Sequence, residues 1–273
     1  MNVKCTQSTF IKQIDRMSKT GEFRELHAGD EPFILGNVWD AKSAQLAEKA
    51  GFKAVGISGH AIAENLGYRD GEDMGFDELL FVVNRVIKSV SIPVSVDIDG
   101  GYSRNIEKVN AHIEQLINMG AAGINIEDSV MKNGKRVLQE TVKFTKVVSA
   151  IHTFLQDRKS DLFLNVRIDT YVTKHPKLLE ETIKRIGEFE KAGADGIFVP
   201  LLSDDKEIKQ VVQSTPLPLN VFLRPDTPSF SKLKLMGVKR ISSGAAVHAQ
   251  SYKRAAELYA TLIDDKRFGK LFS

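Results

Sequence analysis

The sequence predicts an α/β fold, a single (β/α)₈ TIM barrel, and three observations lead to this prediction. A helical segment ends at a glycine and a short apolar strand follows, at Gly51, Gly120, Gly193 and Gly237. Glycine suits the left-handed residue that ends many helices. Counting along the chain gives eight strands that alternate with helices, as in a closed parallel barrel. The length of 273 residues is also that of one such barrel.

The predicted elements begin with a helix over residues 8–20, ended by Gly21, that precedes the barrel. The first strand covers 32–35, and Asp40 caps a helix over 41–50. The further strands are predicted at 55–58, 93–99, 124–127, 162–167, 197–200, 218–222 and 241–243. The further helices are predicted at 77–90, 105–119, 138–156, 176–192, 204–213, 228–236 and 245–263.

The chain shows no linker or change in composition that would mark a second domain. Residues 1–273 are therefore predicted to form one barrel domain. Within it, residues 1–30 form an N-terminal helical extension and residues 245–273 a C-terminal helical segment. Because this last segment is amphipathic, it covers either its own barrel or a neighbouring subunit.

Composition excludes several classes of protein. The net charge is only +3, and the basic residues are spread along the chain, so nucleic acid binding is not favoured. Cys5 is the sole cysteine, which excludes a disulfide within the chain and a zinc–cysteine site. Residues 1–16 lack the apolar run of a secretory signal, and no stretch approaches 18 apolar residues. We expect a cytoplasmic protein without a membrane partner.

Two carboxylates stand at the end of the third predicted strand. Asp97 and Asp99 are two residues apart, a spacing that puts both side chains on the same face of a strand. Like charges so placed repel each other unless a cation lies between them. Gly100 and Gly101 then end the strand and allow a ligand to approach the backbone. The alternative interpretation is a strand end with two solvated aspartates.

Other polar residues follow the carboxyl ends of the predicted strands, which form the functional face of such a barrel. They are Ser58, Gly59, His60 and Asp70 after the second strand, Glu127 and Asp128 at the fourth, Asn165, Arg167 and Asp169 at the fifth, and Asn220 in the seventh. Oxygen ligands without a histidine pair favour magnesium or manganese over zinc. The sequence therefore indicates a hard-cation site with a nearby arginine.

Six segments resemble the isocitrate lyase and phosphoenolpyruvate mutase superfamily, in its carboxyvinyl-carboxyphosphonate phosphorylmutase-like branch. They are residues 37–40, 58–59, 66–70, 97–102, 126–128 and 165–167. The resemblance runs in order from about Pro32 to Glu257. It implies a (β/α)₈ barrel, and a homo-oligomer, dimer or tetramer, whose last helix is exchanged between paired subunits.

The resemblance also implies the site. Mg²⁺, with Mn²⁺ as an alternative, would be held directly or through water by residues matching Asp70, Asp97, Asp99 and Glu127. A small 2-oxo acid or phosphonate would lie against Ser58, Gly59 and His60, with Arg167 as its cationic partner. We assign substrate binding also to Asn220, and catalytic roles to Arg167, Asp70 and Lys132. The implied reaction cleaves or rearranges a C–C or C–P bond beside the oxo acid through an enolate-like intermediate.

The sequence departs from the superfamily at residues 129–136. Isocitrate and methylisocitrate lyases carry a cysteine in this loop, and this chain does not. Asn133 is a misaligned counterpart of the mutase asparagine, and Pro200 and Leu201 stand where mutases have a histidine. Lyase, decarboxylase, phosphonopyruvate hydrolase and mutase activities stay open, as does a non-catalytic 2-oxo-acid-binding barrel, a pseudoenzyme. The 132–136 run is interpreted either as a charged lid or as a solvated loop.

We predict that the protein does not cleave isocitrate or methylisocitrate at a useful rate. The departing carbanion needs a nearby proton donor, and Lys132, Lys135 and Arg136 are poor acids at their ordinary pKa values. Coupled assays for glyoxylate and pyruvate release check this expectation. Robust turnover would contradict it and would show that another residue supplies the proton.

Overall fold

Eight parallel strands close into a barrel, which confirms the predicted fold class. The structure, a computed structural model, describes residues 17–264 and 268–272. The strands in chain order are β1 Phe33–Val38, β2 Val55–Ile57, β3 Val94–Asp97, β4 Gly123–Glu127, β5 Ser129–Lys132, β6 Lys135–Leu138, β7 Phe163–Arg167, β8 Gly196–Val199, β9 Leu219–Phe222 and β10 Arg240–Ser242. The barrel order is β1-β10-β9-β8-β7-β4-β3-β2, and β5 pairs with β6 in a separate antiparallel hairpin.

Helices surround the barrel. They are α1 Lys19–Ala28, α2 Ala41–Lys49, α3 Gly59–Asn65, α4 Phe76–Ile87, α5 Ile106–Met119, α6 Thr141–Asp157, α7 Leu178–Lys191, α8 Asp205–Gln213, α9 Phe230–Met236 and α10 Ala246–Asp264, followed by a 3₁₀ turn at Phe268–Leu271. Among these described helices, none combines the length and the apolar composition that crossing a bilayer requires.

The sequence signals at the helix ends are confirmed. Gly51, Gly120, Gly193 and Gly237 all have positive φ, between 88° and 98°, just after α2, α5, α7 and α9. At the start of α2, the carboxylate of Asp40 accepts a hydrogen bond from a backbone N–H of the first turn. Local chemistry therefore sets where several of the helices begin and end.

The predicted helix end at Gly21 was wrong, and one short helix was not predicted. The predicted helix 8–20 lies largely outside the described residues, and α1 begins only at Lys19. Ser18 accepts a hydrogen bond from the N–H of Gly21, so Gly21 lies in the first turn of α1 and does not end a helix. The short helix α3 was not predicted, because its seven residues are too few to show a helical repeat.

Aromatic side chains close the amino-terminal end of the barrel. Phe23 of α1 is fully buried and packs edge-on against Phe33 and Phe163, which begin β1 and β7. His27 stacks on Phe163 with ring centroids 3.9 Å apart. A Cβ at Gly123 would lie 2.8 Å from the Phe23 ring, so this position of β4 requires a residue without a side chain. The barrel is thus closed by apolar groups at one end only.

A buried ion pair fixes the loops around the opposite end. Asp128, directly after β4, bonds Arg185 of α7 at 2.8 Å, and its other oxygen accepts from the Asp169 N–H at 2.8 Å. Arg185 also donates to the Gln139 carbonyl. Both charged side chains are almost fully buried, at 5% and 0% exposure. This pair therefore holds the chain just after β4 against the chain just after β7.

We predict that Arg185→Met lowers the free energy of unfolding by about 3–5 kcal/mol, because it leaves the Asp128 carboxylate buried without its partner. Denaturant titration followed by circular dichroism measures the change. Arg158→Met is the matched control, since Arg158 pairs with Glu114 at the surface and should contribute less than about 1 kcal/mol. Equal effects of the two substitutions would contradict the assignment.

Candidate active site

A cavity opens at the carboxyl ends of the barrel strands. Its volume is about 310 Å³, and its walls bring together five of the residues that the sequence singled out: Ser58, His60, Asp70, Asp97 and Arg167. A larger cavity, of about 590 Å³, lies at the other end of the barrel beside Arg24 and Lys239. The predicted site residues lie at the smaller cavity, which we therefore take as the candidate site.

Asp97 and Asp99 lie close together, but a turn rather than a strand brings them there. β3 ends at Asp97, and Asp99 has φ of 45°, in the left-handed region. Burial raises the pKa of both carboxyl groups, and repulsion between the two charges raises that of Asp99 further. One oxygen of Asp97 is buried without a hydrogen-bond partner. The charge of Arg167 lowers both pKa values in part, but among the described residues no cationic side chain bonds either carboxylate directly.

Glu127, by contrast, is compensated by two arginines. It ends β4 opposite Arg167 of β7, whose Nη1 lies 2.9 Å from its carboxylate. Arg136 donates to the other oxygen of Glu127. Arg167 is itself held by Asp169, with Nε donating to Oδ1 at 2.7 Å. This arrangement confirms that Arg167 and Asp169 share a face, as their spacing indicated.

Asp70 joins the two sides of the cavity mouth. Its carboxylate lies 3.3 Å from the Nδ1 atom of His60 and accepts from Nη2 of Arg136 at 3.0 Å. Burial alone would raise the pKa of Asp70, but the His60 hydrogen bond and the Arg136 charge outweigh it and lower the pKa to about 2. The same hydrogen bond raises the pKa of His60. The two side chains therefore favour a charged pair.

Arg136 is the site residue that the sequence analysis missed. It lies on β6, in the hairpin whose turn is Asn133 and Gly134, both with positive φ. Lys132 pairs with Lys135 on one face of the hairpin, and Arg136 is on the other face, which meets the cavity. The structure thus leaves Lys132 exposed and brings Arg136 to the carboxylates instead. The Asn-Gly dipeptide between two short segments was a signal for this hairpin.

Two of the remaining predicted residues occupy different levels of the barrel. Gly59 begins α3, and a Cβ on it would lie 4.0 Å from Oδ2 of Asp99, so the backbone here runs beside the carboxylate pair. Asn220 lies deeper, inside β9, where it is buried and neither of its side-chain polar atoms has a partner. It belongs to the floor of the barrel rather than to the carboxylate cluster.

Comparison with known proteins identifies the family. A sequence model of the phosphoenolpyruvate phosphomutase family matches residues 23–263. The chain belongs to this family. The resemblance to the wider superfamily, which rested on six short segments, is therefore confirmed.

Individual family members show how far the similarity extends. A solved structure from Burkholderia cenocepacia, described as a candidate phosphonomutase, is 34% identical, with a TM-score of 0.83 over 88% of this chain and 98% of that one. A Mycobacterium tuberculosis protein named as uncharacterised is 29% identical over 90% of both chains. The oxaloacetate decarboxylase of Pseudomonas entomophila is 29% identical, covering 85% of this chain and 80% of that protein. The family thus contains members described by different reactions.

The donor atoms of the site fit a hard divalent cation at one place. Asp97 and Asp99 offer buried carboxylate oxygens, one of them unpartnered, and a bound cation would relieve their repulsion. Asp70 and Glu127 are engaged with Arg136. Among the described residues, no three histidine, cysteine, aspartate or glutamate side chains are grouped closely enough to hold a metal ion. A cation at the aspartate pair would therefore need water or substrate oxygens to complete its coordination.

We predict that Arg136→Gln loosens the hairpin. Hydrogen bonds to charged groups contribute about 1.5–3 kcal/mol each, so trypsin should cut after Lys132 about tenfold faster or more. Mass spectrometry of a timed digest measures the rate. Arg104→Gln is the control, because Arg104 pairs with Glu72 beside the cavity without touching the hairpin. An unchanged rate in Arg136→Gln would mean that the hairpin is held by its other contacts.

Proposed function

We propose that this protein is a magnesium-dependent enzyme that cleaves or rearranges a C–C or C–P bond next to a small 2-oxo acid. The observation that carries this proposal is the buried pair Asp97 and Asp99, which no cationic side chain of the described residues bonds directly, with Asp97 and Arg167 lining one cavity. The family shares the fold, and the decarboxylase among its members acts on a 2-oxo acid by name. The proposed reaction class includes lyase, decarboxylase, hydrolase and mutase activities.

In this proposal, Asp97 and Asp99 hold the ion, with Asp70 and Glu127 orienting water around it. A magnesium ion bound there would stabilise negative charge that develops on a 2-oxo acid. Arg167 directs its positive charge into the same cavity and would bind the substrate's anionic group. Asp169 fixes the guanidinium of Arg167, so this charge is positioned before substrate arrives.

His60 and Asp70 are the groups at the cavity proposed to donate or accept a proton during the reaction. The hydrogen bond to Asp70 raises the pKa of His60. His60 also lines the cavity, next to Ser58 and close to Gly59, where the substrate is proposed to bind. We therefore retain Asp70 as a catalytic residue, acting through His60, and propose Arg136 in the position first assigned to Lys132.

A non-catalytic 2-oxo-acid-binding barrel is the second candidate, and the hairpin favours it. Residues 129–136 lack the cysteine of the related lyases. Arg136 and Arg167 both form ion pairs with Glu127, so this carboxylate is already engaged by side chains of the same chain. An enzyme of this family could therefore keep its ligand site and lose its chemistry.

We also propose that the chain forms a homo-oligomer, a dimer or tetramer. Three large apolar side chains of α10 are exposed, and their spacing of seven and four residues puts them on one face of the helix: Tyr252, Tyr259 and Ile263. An apolar stripe of this kind supports a contact with another protein surface. It agrees with the expectation that the C-terminal helical segment packs against a neighbouring subunit.

We predict that Mg²⁺ or Mn²⁺ raises the melting temperature, and that oxalate adds to the rise only when metal is present. At about one hundred times the Kd, a ligand adds about 2.7 kcal/mol, a shift on the order of 5 °C for a chain of this size. Asp99→Asn should abolish both shifts while leaving the barrel folded, since asparagine tolerates the left-handed backbone at this position. Differential scanning calorimetry measures all three conditions.

Asp157→Asn serves as the control, because Asp157 is exposed at the end of α6, away from the cavity. If addition of metal leaves the melting temperature unchanged, both with and without oxalate, the metal-dependent proposal is refuted. Binding of metal and oxalate without turnover of any 2-oxo acid or phosphonate, assayed by pyruvate release, would support the non-catalytic barrel.

A further inference from the structure

A glutamate without a role in the functions proposed above joins the two segments that carry Asp70 and Asp99. Oε1 of Glu72 accepts a hydrogen bond from the backbone N–H of Tyr102 at 2.8 Å. Glu72 follows Asp70 by two residues, in the loop between α3 and α4, and Tyr102 follows Asp99 by three residues, in the turn after β3. This bond therefore connects two segments that each bring a carboxylate to the site.

The carboxylate of Glu72 is itself held in place. Nη2 of Arg104 donates to Oε2 of Glu72 at 2.6 Å, and Nη1 donates to Oε1 at 3.3 Å. A guanidinium that bonds both oxygens fixes the orientation of the carboxylate. The Glu72 side chain is 17% exposed, although Arg104 is largely in solvent. A Cβ on Gly100 would lie 3.2 Å from both side chains, so this ion pair packs directly on the backbone of the turn.

The backbone of both segments adopts a conformation that needs support. Positive φ angles of 67°, 45° and 56° occur at Glu72, Asp99 and Tyr102. Such angles are uncommon for residues with a Cβ and persist where the surrounding structure fixes them. Within the turn, the N–H of Gly101 donates to the carbonyl of Ile98 at 2.7 Å. The next N–H along the chain, that of Tyr102, donates to Glu72, so a side chain from another segment supports the turn.

We propose that Glu72 is a positioning residue for the cation site, because its bond to Tyr102 holds the turn that carries Asp99 next to the loop that carries Asp70. The inference rests on the function proposed above, since it concerns the same site. In this proposal Glu72 acts through the backbone and does not touch the ion. An ion that meets carboxylates already in place loses less binding free energy to ordering the chain.

The charge of Glu72 offers a different explanation that an experiment must separate from the hydrogen bond. This charge contributes to raising the pKa of Asp99, so a carboxylate at position 72 would favour a nearby cation even without positioning the turn. Glu72→Gln removes the charge and keeps an oxygen that can accept from Tyr102, whereas Glu72→Ala removes both. Asp73→Ala is the matched control, because Asp73 belongs to the same loop and accepts a hydrogen bond from the N–H of Arg69 within it.

Calorimetric titration with Mn²⁺ measures affinity, and amide hydrogen exchange of Tyr102, followed by NMR without metal, measures the bond itself. Glu72→Ala should weaken Mn²⁺ binding by about tenfold or more, whereas Glu72→Gln and Asp73→Ala should stay within about threefold of the wild type. The Tyr102 amide should exchange about tenfold faster in Glu72→Ala and at an unchanged rate in Asp73→Ala. If Glu72→Ala does not fold, Arg104→Met replaces it, and faster exchange together with weaker Mn²⁺ binding is expected.

Four results would overturn the inference. Faster exchange of the Tyr102 amide with unchanged Mn²⁺ affinity, in Glu72→Ala or its replacement, would leave the contact a purely structural role. Equal weakening in Glu72→Gln and Glu72→Ala would assign the effect to charge. Equal weakening in Asp73→Ala would assign it to the loop as a whole. A wild-type protein that binds no Mn²⁺ would overturn the inference together with the proposed function, whereas the first three results leave that function standing.

Discussion

The organisation of the site depends on negative charge held out of water. Asp97, Asp99, Glu127 and Asp70 converge on one end of the barrel, and burial disfavours the charged forms of Asp97, Asp99 and Asp70. Glu127 and Asp70 bond arginine side chains, and Asp97 and Asp99 do not. This asymmetry supports the proposed roles, in which the two carboxylates bonded to arginine frame the site and the other two would hold a cation.

The two ends of the barrel differ in the polarity of the side chains that line them. Phe23, Phe33 and Phe163 pack together with His27 at the amino-terminal end. Arg240 lies over the ring of Phe23 and is buried inside the barrel. The cavity that holds the candidate site residues opens at the carboxyl end. Electrostatic interactions there are stronger than at the surface.

The hairpin of β5 and β6 links the site to the surface. Its tip is exposed, yet Arg136 reaches back to Asp70 and Glu127. Gly71, in the loop after α3, has a positive φ and lies against the side chain of Met131 in the hairpin. Displacement of the hairpin would separate Arg136 from both carboxylates at once. This local segment therefore contributes to the charge balance at the cavity mouth.

The sequence by itself determined the barrel and most of the site residues. Local sequence signals mark the helix ends, the strand starts and the polar residues that follow the strands. Because strands and helices alternate along the chain, few topologies are possible for it. Only the tertiary structure decided which charges meet. Arg136 and Lys132 look alike in sequence, but the register of a two-residue turn sends one inward and the other to solvent. Arg240 looks like a strand-end residue, and only closure of the barrel buries it without an ion-pair partner among the described residues, because burial and pairing depend on residues distant in sequence.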